Sequence, residues 1–237
     1  MDEVAQMVLA ARKVMDECKA SLPIVVGTGT NDTMSSVQRT EAAAALGADA
    51  VLVVTPYYSR PSDSGIIEHF RRIAAVGIPV ILYEVPLRTG IALSVDTIRR
   101  VLDIPGIIGM KDSTLTMQLM EQLAVYDTKP ILCGHDLHFH DMLVRGAAGG
   151  ILATANWNTD AFSRVYQFIK LGHYPQAEQQ FSSIRPFLEL LTQESNPAPM
   201  KWLLKHGGMI ATDTLRLPMT PISEELKLKL TNMMHKF

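Results

Sequence analysis

Short apolar runs alternate with amphipathic stretches from the beginning of the chain. Residues 4 to 18 place Val4, Met7, Val8, Ala11, Val14, Met15 and Cys18 on one helical face. Five apolar runs follow: 23–26, 51–54, 79–83, 106–110 and 130–133, with a weaker sixth at 149–153. They are continuous and rich in Val and Ile, the pattern of strands covered on both faces. Between them lie helical patterns, one carrying Ile66, Phe70 and Ile73, another opening at Ser94 and carrying Ile98, Val101 and Leu102. Gly47 and Gly77 stand where helices end. The runs recur about every 25 residues, the size of one strand–helix unit with short loops. Six such units predict an α/β fold with a parallel sheet, barrel or doubly wound.

Beyond Ala153 the pattern changes. Residues 159–171, 174–193, 198–206 and 223–235 read as helices, the last opening at Ser223-Glu224-Glu225. The expected organisation is a β/α part over residues 1–155 and a helical region over 156–237. A strand–helix unit begins with its strand, whereas this chain opens on a helix.

Composition narrows the reading. The 237 residues carry 22 Lys and Arg against 24 Asp and Glu, a formal charge of −2, which gives no electrostatic reason to expect nucleic acid or an anionic membrane surface as partner. At 47% hydrophobic the chain has material for a core, but no apolar run approaches the roughly 20 residues of a membrane span. The acidic start Met1-Asp2-Glu3 is unlike a signal peptide, and the two cysteines, Cys18 and Cys133, suggest a reducing compartment, so a cytoplasmic location is expected.

In parallel sheets, active groups gather at the C-terminal ends of strands. Those ends read Gly27-Thr28-Gly29-Thr30-Asn31, Thr55-Pro56-Tyr57-Tyr58, Tyr83, Lys111-Asp112-Ser113 and Gly134-His135-Asp136. Lys111 directly follows an apolar run. A lysine there loses solvation, and a neutral amine can attack a carbonyl to form a Schiff base; the alternative is a structural ion pair with Asp112. Tyr83 could relay protons or simply pack. Tyr57 and Tyr58 could equally anchor a subunit contact. Gly27-Thr28-Gly29 lacks the third glycine of a dinucleotide fingerprint, Asp32 standing in its place, and reads as a tight turn. His135, His138 and His140, with Asp136 and Asp141, read as solvated helix residues rather than as metal ligands.

Several motifs then coincide. Tyr83-Glu84-Val85-Pro86-Leu87-Arg88-Thr89-Gly90, Gly109-Met110-Lys111-Asp112-Ser113, Val54-Thr55-Pro56-Tyr57-Tyr58, Val26-Gly27-Thr28-Gly29, Asn196-Pro197-Ala198-Pro199-Met200-Lys201 and the segment 213–218 resemble, in order, the motifs of the dihydrodipicolinate synthase family. The resemblance covers essentially the whole chain. It implies a TIM-type parallel barrel and a class I aldolase, a lyase of lysine and diaminopimelate biosynthesis. Such an enzyme joins pyruvate to aspartate semialdehyde to give 4-hydroxy-tetrahydrodipicolinate, without cofactor or metal. It implies Lys111 as the Schiff-base lysine, Tyr83 as proton relay and Tyr58 as a residue reaching into a neighbouring subunit. Arg88 would hold the semialdehyde carboxylate, and Gly134 and Ile151 would line the pyruvate pocket. It further implies a homotetramer, a dimer of dimers.

The family pattern also holds two earlier strands, the second ending in Gly-Thr-Thr-Gly-Glu, which do not occur in these 237 residues. The expectation is therefore a barrel lacking its first two strands, with unpaired sheet edges near residues 25 and 151. Glu84 replaces an asparagine and Asp112 a glutamate of the family pattern. At the family's lysine feedback site Asn31 is kept, but Ser35 stands where feedback-sensitive relatives carry glutamate, so feedback inhibition is not expected. Two alternatives stand beside the synthase: another pyruvate-dependent aldolase or lyase, similar to N-acetylneuraminate lyase, and a non-catalytic paralogue that only associates with other subunits.

Overall fold

The structure is a computed structural model, and it describes residues 2–234. The chain forms two compact units, one ending at Gly134 and the other starting at His135.

The first unit opens with helix α1 (Asp2–Glu17) and then alternates strands and helices. They are β1 (Val25–Gly27), α2 (Thr33–Ala45), β2 (Ala50–Val54), α3 (Asp63–Ala74), β3 (Val80–Glu84), α4 (Pro86–Thr89), α5 (Val95–Leu102), β4 (Ile107–Asp112), α6 (Gln118–Leu123) and β5 (Ile131–Cys133). The five strands pair in chain order and in parallel, β1 with β2, β2 with β3, β3 with β4 and β4 with β5. This arrangement requires each connection to cross over through a helix.

Local chemistry marks the boundaries. Asp32, Ser62 and Ser94 cap α2, α3 and α5 by accepting the backbone N–H three residues on. Gly47 and Gly77 take left-handed backbone (φ 78° and 94°) just past α2 and α3 and donate their N–H groups to Ala44 and Ala74. The apolar stripes of α3 and α5 are buried at Ile66, Phe70, Ile73, Ile98, Val101 and Leu102. His69 on α3 is buried beside them, its Nδ1 3.0 Å from Thr33 Oγ1, and burial pulls its pKa down to about 4.

Central and outer strands differ. In β3, Val80, Ile81, Leu82 and Glu84 are buried, as a strand covered on both faces should be. In β1, Val25 and Gly27 are exposed, so the expectation of two covered faces fails there. Among the described residues β1 pairs only with β2, which leaves an open edge near residue 25.

The second unit contains a 3-10 turn (Asp136–His138), α7 (Phe139–Val144), β6 (Gly149–Gly150), α8 (Thr159–Lys170), α9 (Tyr174–Leu191), α10 (Ala198–His206) and α11 (Glu224–Met234). Helices α8 to α11 agree with the sequence pattern to within two residues, and position 235 of the last one lies outside the described residues. Ser223 caps α11 through Leu226 N–H and donates its hydroxyl to Glu194. Phe187, Leu191, Leu203, Ile222, Leu226 and Leu230 belong to one buried cluster of this unit. No helix among the described residues is long and apolar enough to cross a membrane.

Candidate active site

β3 and β4 are in register at their ends, Tyr83 opposite Lys111 and Glu84 opposite Asp112. Side chains alternate between faces along a strand, so these two pairs project to opposite sides of the sheet. Lys111 lies inside β4, not after it: the ladder continues to Asp112 because β5 pairs there through Leu132 and Cys133. Tyr83 is likewise the penultimate residue of β3, not its last.

The Tyr83–Lys111 pair is half-buried. Lys111 Nζ sits 4.3 Å from the centroid of the Tyr83 ring, an ammonium over an aromatic face. Among the described residues Lys111 forms no ion pair, so the structural pairing with Asp112 is not what holds it. The contrast with Lys129 is direct: that amine is taken up by the carbonyls of Ile104 and Ile107. Gly134, at the end of β5, stands against the Lys111 side chain. A Cβ there would overlap Ser113 Oγ and come 2.5 Å from Lys111 Cε. The absence of a side chain at Gly134 is what makes room for the lysine. Ser113 shares the Lys111 face, is 6% exposed, and its hydroxyl has no hydrogen-bond partner.

The Glu84–Asp112 pair is 1% and 2% exposed. Glu84 Oε2 accepts the Thr55 hydroxyl at 2.8 Å and Oε1 accepts the Leu93 N–H at 2.9 Å. Asp112 accepts the Thr114 N–H at 2.8 Å. Burial raises both pKa values. The Leu93 and Thr55 bonds oppose that rise in Glu84 and the neighbouring Asp112 adds to it, while the Thr114 bonds oppose it in Asp112. Glu84 also borders a cavity of about 450 Å³ between the 86–93 and 113–122 segments.

The remaining candidates are distributed along the loops. Arg88 lies on α4, five residues beyond Tyr83, and is exposed. Tyr58 is 90% exposed, with φ 69°. Asn31 is exposed just before the cap of α2, and the Ser35 N–H is held by Asp32. Ile151 lies in the second unit, directly after β6, and is half-buried.

Of two further readings, the structure explains one and corrects the other in part. The Gly27-Thr28-Gly29 turn packs Gly29 against the β2 backbone at Val53 and Val54, where a Cβ would collide. Thr28 and Thr30 bond Thr40 and Ser36. Gly29 thus serves close packing of turn on strand, whereas a Cβ at Gly27 would meet nothing. Of the three histidines, His135 and His138 are half-buried and only His140 departs from the expectation of a solvated residue. His140 is buried, stacks on Phe181 and bonds Asp141 and Glu178, and the rings of His135 and His138 are 4.7 Å apart.

The role of Glu84 was not visible in the sequence beyond its departure from the family pattern. The available signal was an acid at the end of an apolar strand with Val85 following, a place where burial is expected and a charge must find partners.

A family model described as the dihydrodipicolinate synthetase family matches residues 1–237. The chain is 39% identical over 220 residues to 4-hydroxy-tetrahydrodipicolinate synthase 2 of Clostridium acetobutylicum, covering 90% of this chain and 76% of that one. It is 38% identical over 224 residues to the 4-hydroxy-tetrahydrodipicolinate synthase of Pseudomonas aeruginosa, covering 93% and 76%. Among solved structures, the dihydrodipicolinate synthase of Acinetobacter baumannii, complexed with pyruvate, superposes with a TM-score of 0.92 at 36% identity, covering 99% of this chain and 80% of that one. The chain therefore belongs to the dihydrodipicolinate synthetase family, a family of class I aldolases.

Proposed function

We propose that this chain condenses pyruvate with aspartate semialdehyde, with Lys111 as the Schiff-base residue. The observation that carries the reading is the pairing of Lys111 with Tyr83, in a chain matched along its length by synthases. Lys111 must shed its proton before its amine attacks the keto carbon of pyruvate. The resulting carbinolamine loses water to an imine, and loss of a methyl proton gives the enamine. The enamine carbon then bonds to the aldehyde carbon of the semialdehyde, whose oxygen takes up a proton. Tyr83, against the lysine, is the group placed to carry protons in these steps. Attack of the semialdehyde's own amine on the imine carbon closes the ring and releases Lys111.

Arg88 would grip the semialdehyde carboxylate, where a planar fork offers two parallel bonds. Gly134 and Ile151 would line the pyruvate pocket. Tyr58 would complete a neighbouring subunit's site within a homotetramer; its exposure and left-handed backbone, unusual for a non-glycine residue, support such a role. The strands correspond, in this reading, to six of the eight in the family barrel. No metal or cofactor takes part in the proposed steps, the chain would act in the cytoplasm, and Ser35 in place of glutamate would leave lysine without effect.

Borohydride reduction in the presence of pyruvate, followed by peptide mass analysis, tests the central claim. A reduced pyruvate adduct on Lys111 is expected, and its absence would overturn the reading. A coupled assay offering aspartate semialdehyde or N-acetylmannosamine fixes the acceptor, with turnover expected on the semialdehyde only.

A further inference from the structure

Glu84 stands where the family pattern has an asparagine, and the reaction proposed above gives it nothing to do. Its side chain lies on the face of β3 turned away from Lys111. Yet both of its oxygens are engaged, and each reaches a different functional segment. Oε2 holds Thr55, the first residue of the Thr-Pro-Tyr-Tyr segment that ends in Tyr58. Oε1 holds the N–H of Leu93, at the far end of the segment that starts at Val85 and carries Arg88. Thr89 stitches that segment only to itself, through the carbonyls of Val85 and Ile91. Pro86, Leu87, Ala92 and Leu93 border the cavity of about 450 Å³, so the segment has open volume beside it to move into.

We propose that Glu84 is a positioning residue: through Leu93 and Thr55 it sets the Arg88 segment and the Tyr58 segment relative to the Tyr83–Lys111 pair. The inference rests on the reading of Arg88 as the carboxylate grip. Asparagine, one methylene shorter and with a single acceptor oxygen, cannot accept both bonds. Glutamine can replace glutamate without loss of either contact. Its amide oxygen accepts from Leu93, while its NH₂ donates to Thr55 Oγ1, whose own proton then goes to the Tyr83 carbonyl, 3.2 Å away. The hydrogen bonds, not the charge, therefore carry the role.

The test compares E84A, E84Q and T55V with the parent chain. E84A is expected to raise the KM for aspartate semialdehyde by about 10-fold or more, since small displacements of a substrate grip are costly. The KM for pyruvate and the rate of borohydride-trapped adduct on Lys111 should stay within about twofold. E84Q should stay within about threefold of the parent throughout, and T55V, which removes the Thr55 hydroxyl from both Glu84 and the Tyr83 carbonyl but leaves the Leu93 bond, should raise the semialdehyde KM by about threefold. Amide hydrogen exchange over residues 86–93 gives a readout independent of turnover: faster in E84A, unchanged in E84Q.

Equal damage in E84Q and E84A, an unchanged semialdehyde KM in E84A, or unchanged exchange over 86–93 would each overturn the proposal. Should E84A fail to fold, T55V and E84Q decide it by the same criteria. A parent chain that traps no pyruvate would sink the proposed function alone, and the exchange experiment would still decide whether Glu84 tethers the segment.

Discussion

Two adjacent residue pairs on the same two strands have opposite environments. Tyr83–Lys111 is half-buried, and its amine lies over an aromatic face with no ion pair among the described residues. Glu84–Asp112, one residue further along, is sealed from solvent, and its oxygens hold backbone N–H groups and a hydroxyl. The alternation of a strand separates a face that the proposed chemistry needs uncommitted from a face that must be saturated to be stable. A nucleophile already engaged by an acid would be a poor nucleophile, and a buried acid without partners would be costly.

The largest effect that separates the two faces is expected from K111A. It should abolish pyruvate trapping and lower turnover by about 10⁴-fold or more, with thermal stability nearly unchanged because Lys111 makes no ion pair among the described residues. A loss of stability matching the loss of activity would mean the lysine is scaffold after all.

G134A should strike the same face from the neighbouring strand. Its Cβ must displace Ser113 Oγ and the Lys111 stem, so activity should fall about 10²-fold and stability by about 1–3 kcal/mol, measured by urea unfolding.

On the scaffold face, D112N should behave in the opposite sense. Burial raises the folded pKa of Asp112 above its ordinary 3.8, so its stabilising contribution is fully present below that pH and is lost as pH rises through the folded value. The asparagine keeps an acceptor for the Thr114 N–H and carries no such penalty. D112N should therefore match the parent in acid and melt at a higher temperature, by a few degrees, near neutrality. A gap that closes with rising pH would contradict the assignment.

S113A is expected to have the smallest effect. Removing a buried hydroxyl that has no partner should stabilise the chain by about 1 kcal/mol. Destabilisation would show that the hydroxyl is satisfied in solution.

Much of the fold was legible because its signals are local. Ser94 caps α5, Gly47 and Gly77 end their helices, and the α10 boundaries 198–206 agree with the structure, since capping, left-handed turns and a 3.6-residue stripe are settled within one or two turns of chain. The short helices α4 and α6 escaped notice because four and six residues are too few to show a period. The exposure of β1 escaped for another reason: Val25 reads like any buried valine, and its exposure follows from β1 pairing, among the described residues, with β2 alone.

The same division holds at the site. Lys111 and Tyr83 stood out through their positions near strand ends, and Arg88 and Gly134 through the family resemblance alone. Their burial, and the bonds of their neighbours, did not stand out.

By itself the sequence determined the alternation of strands and helices and the family, because each is written in contiguous residues, and it is the source of the proposal that Lys111 and Tyr83 are the reacting amine and phenol. Only the tertiary structure decided that Tyr83 meets Lys111, that Gly134 leaves the space the lysine occupies, and that Glu84 joins Thr55 to Leu93. Each of those contacts depends on strand register and on the crossing of segments that are distant along the chain, and a residue pattern carries no record of register until the strands are laid side by side.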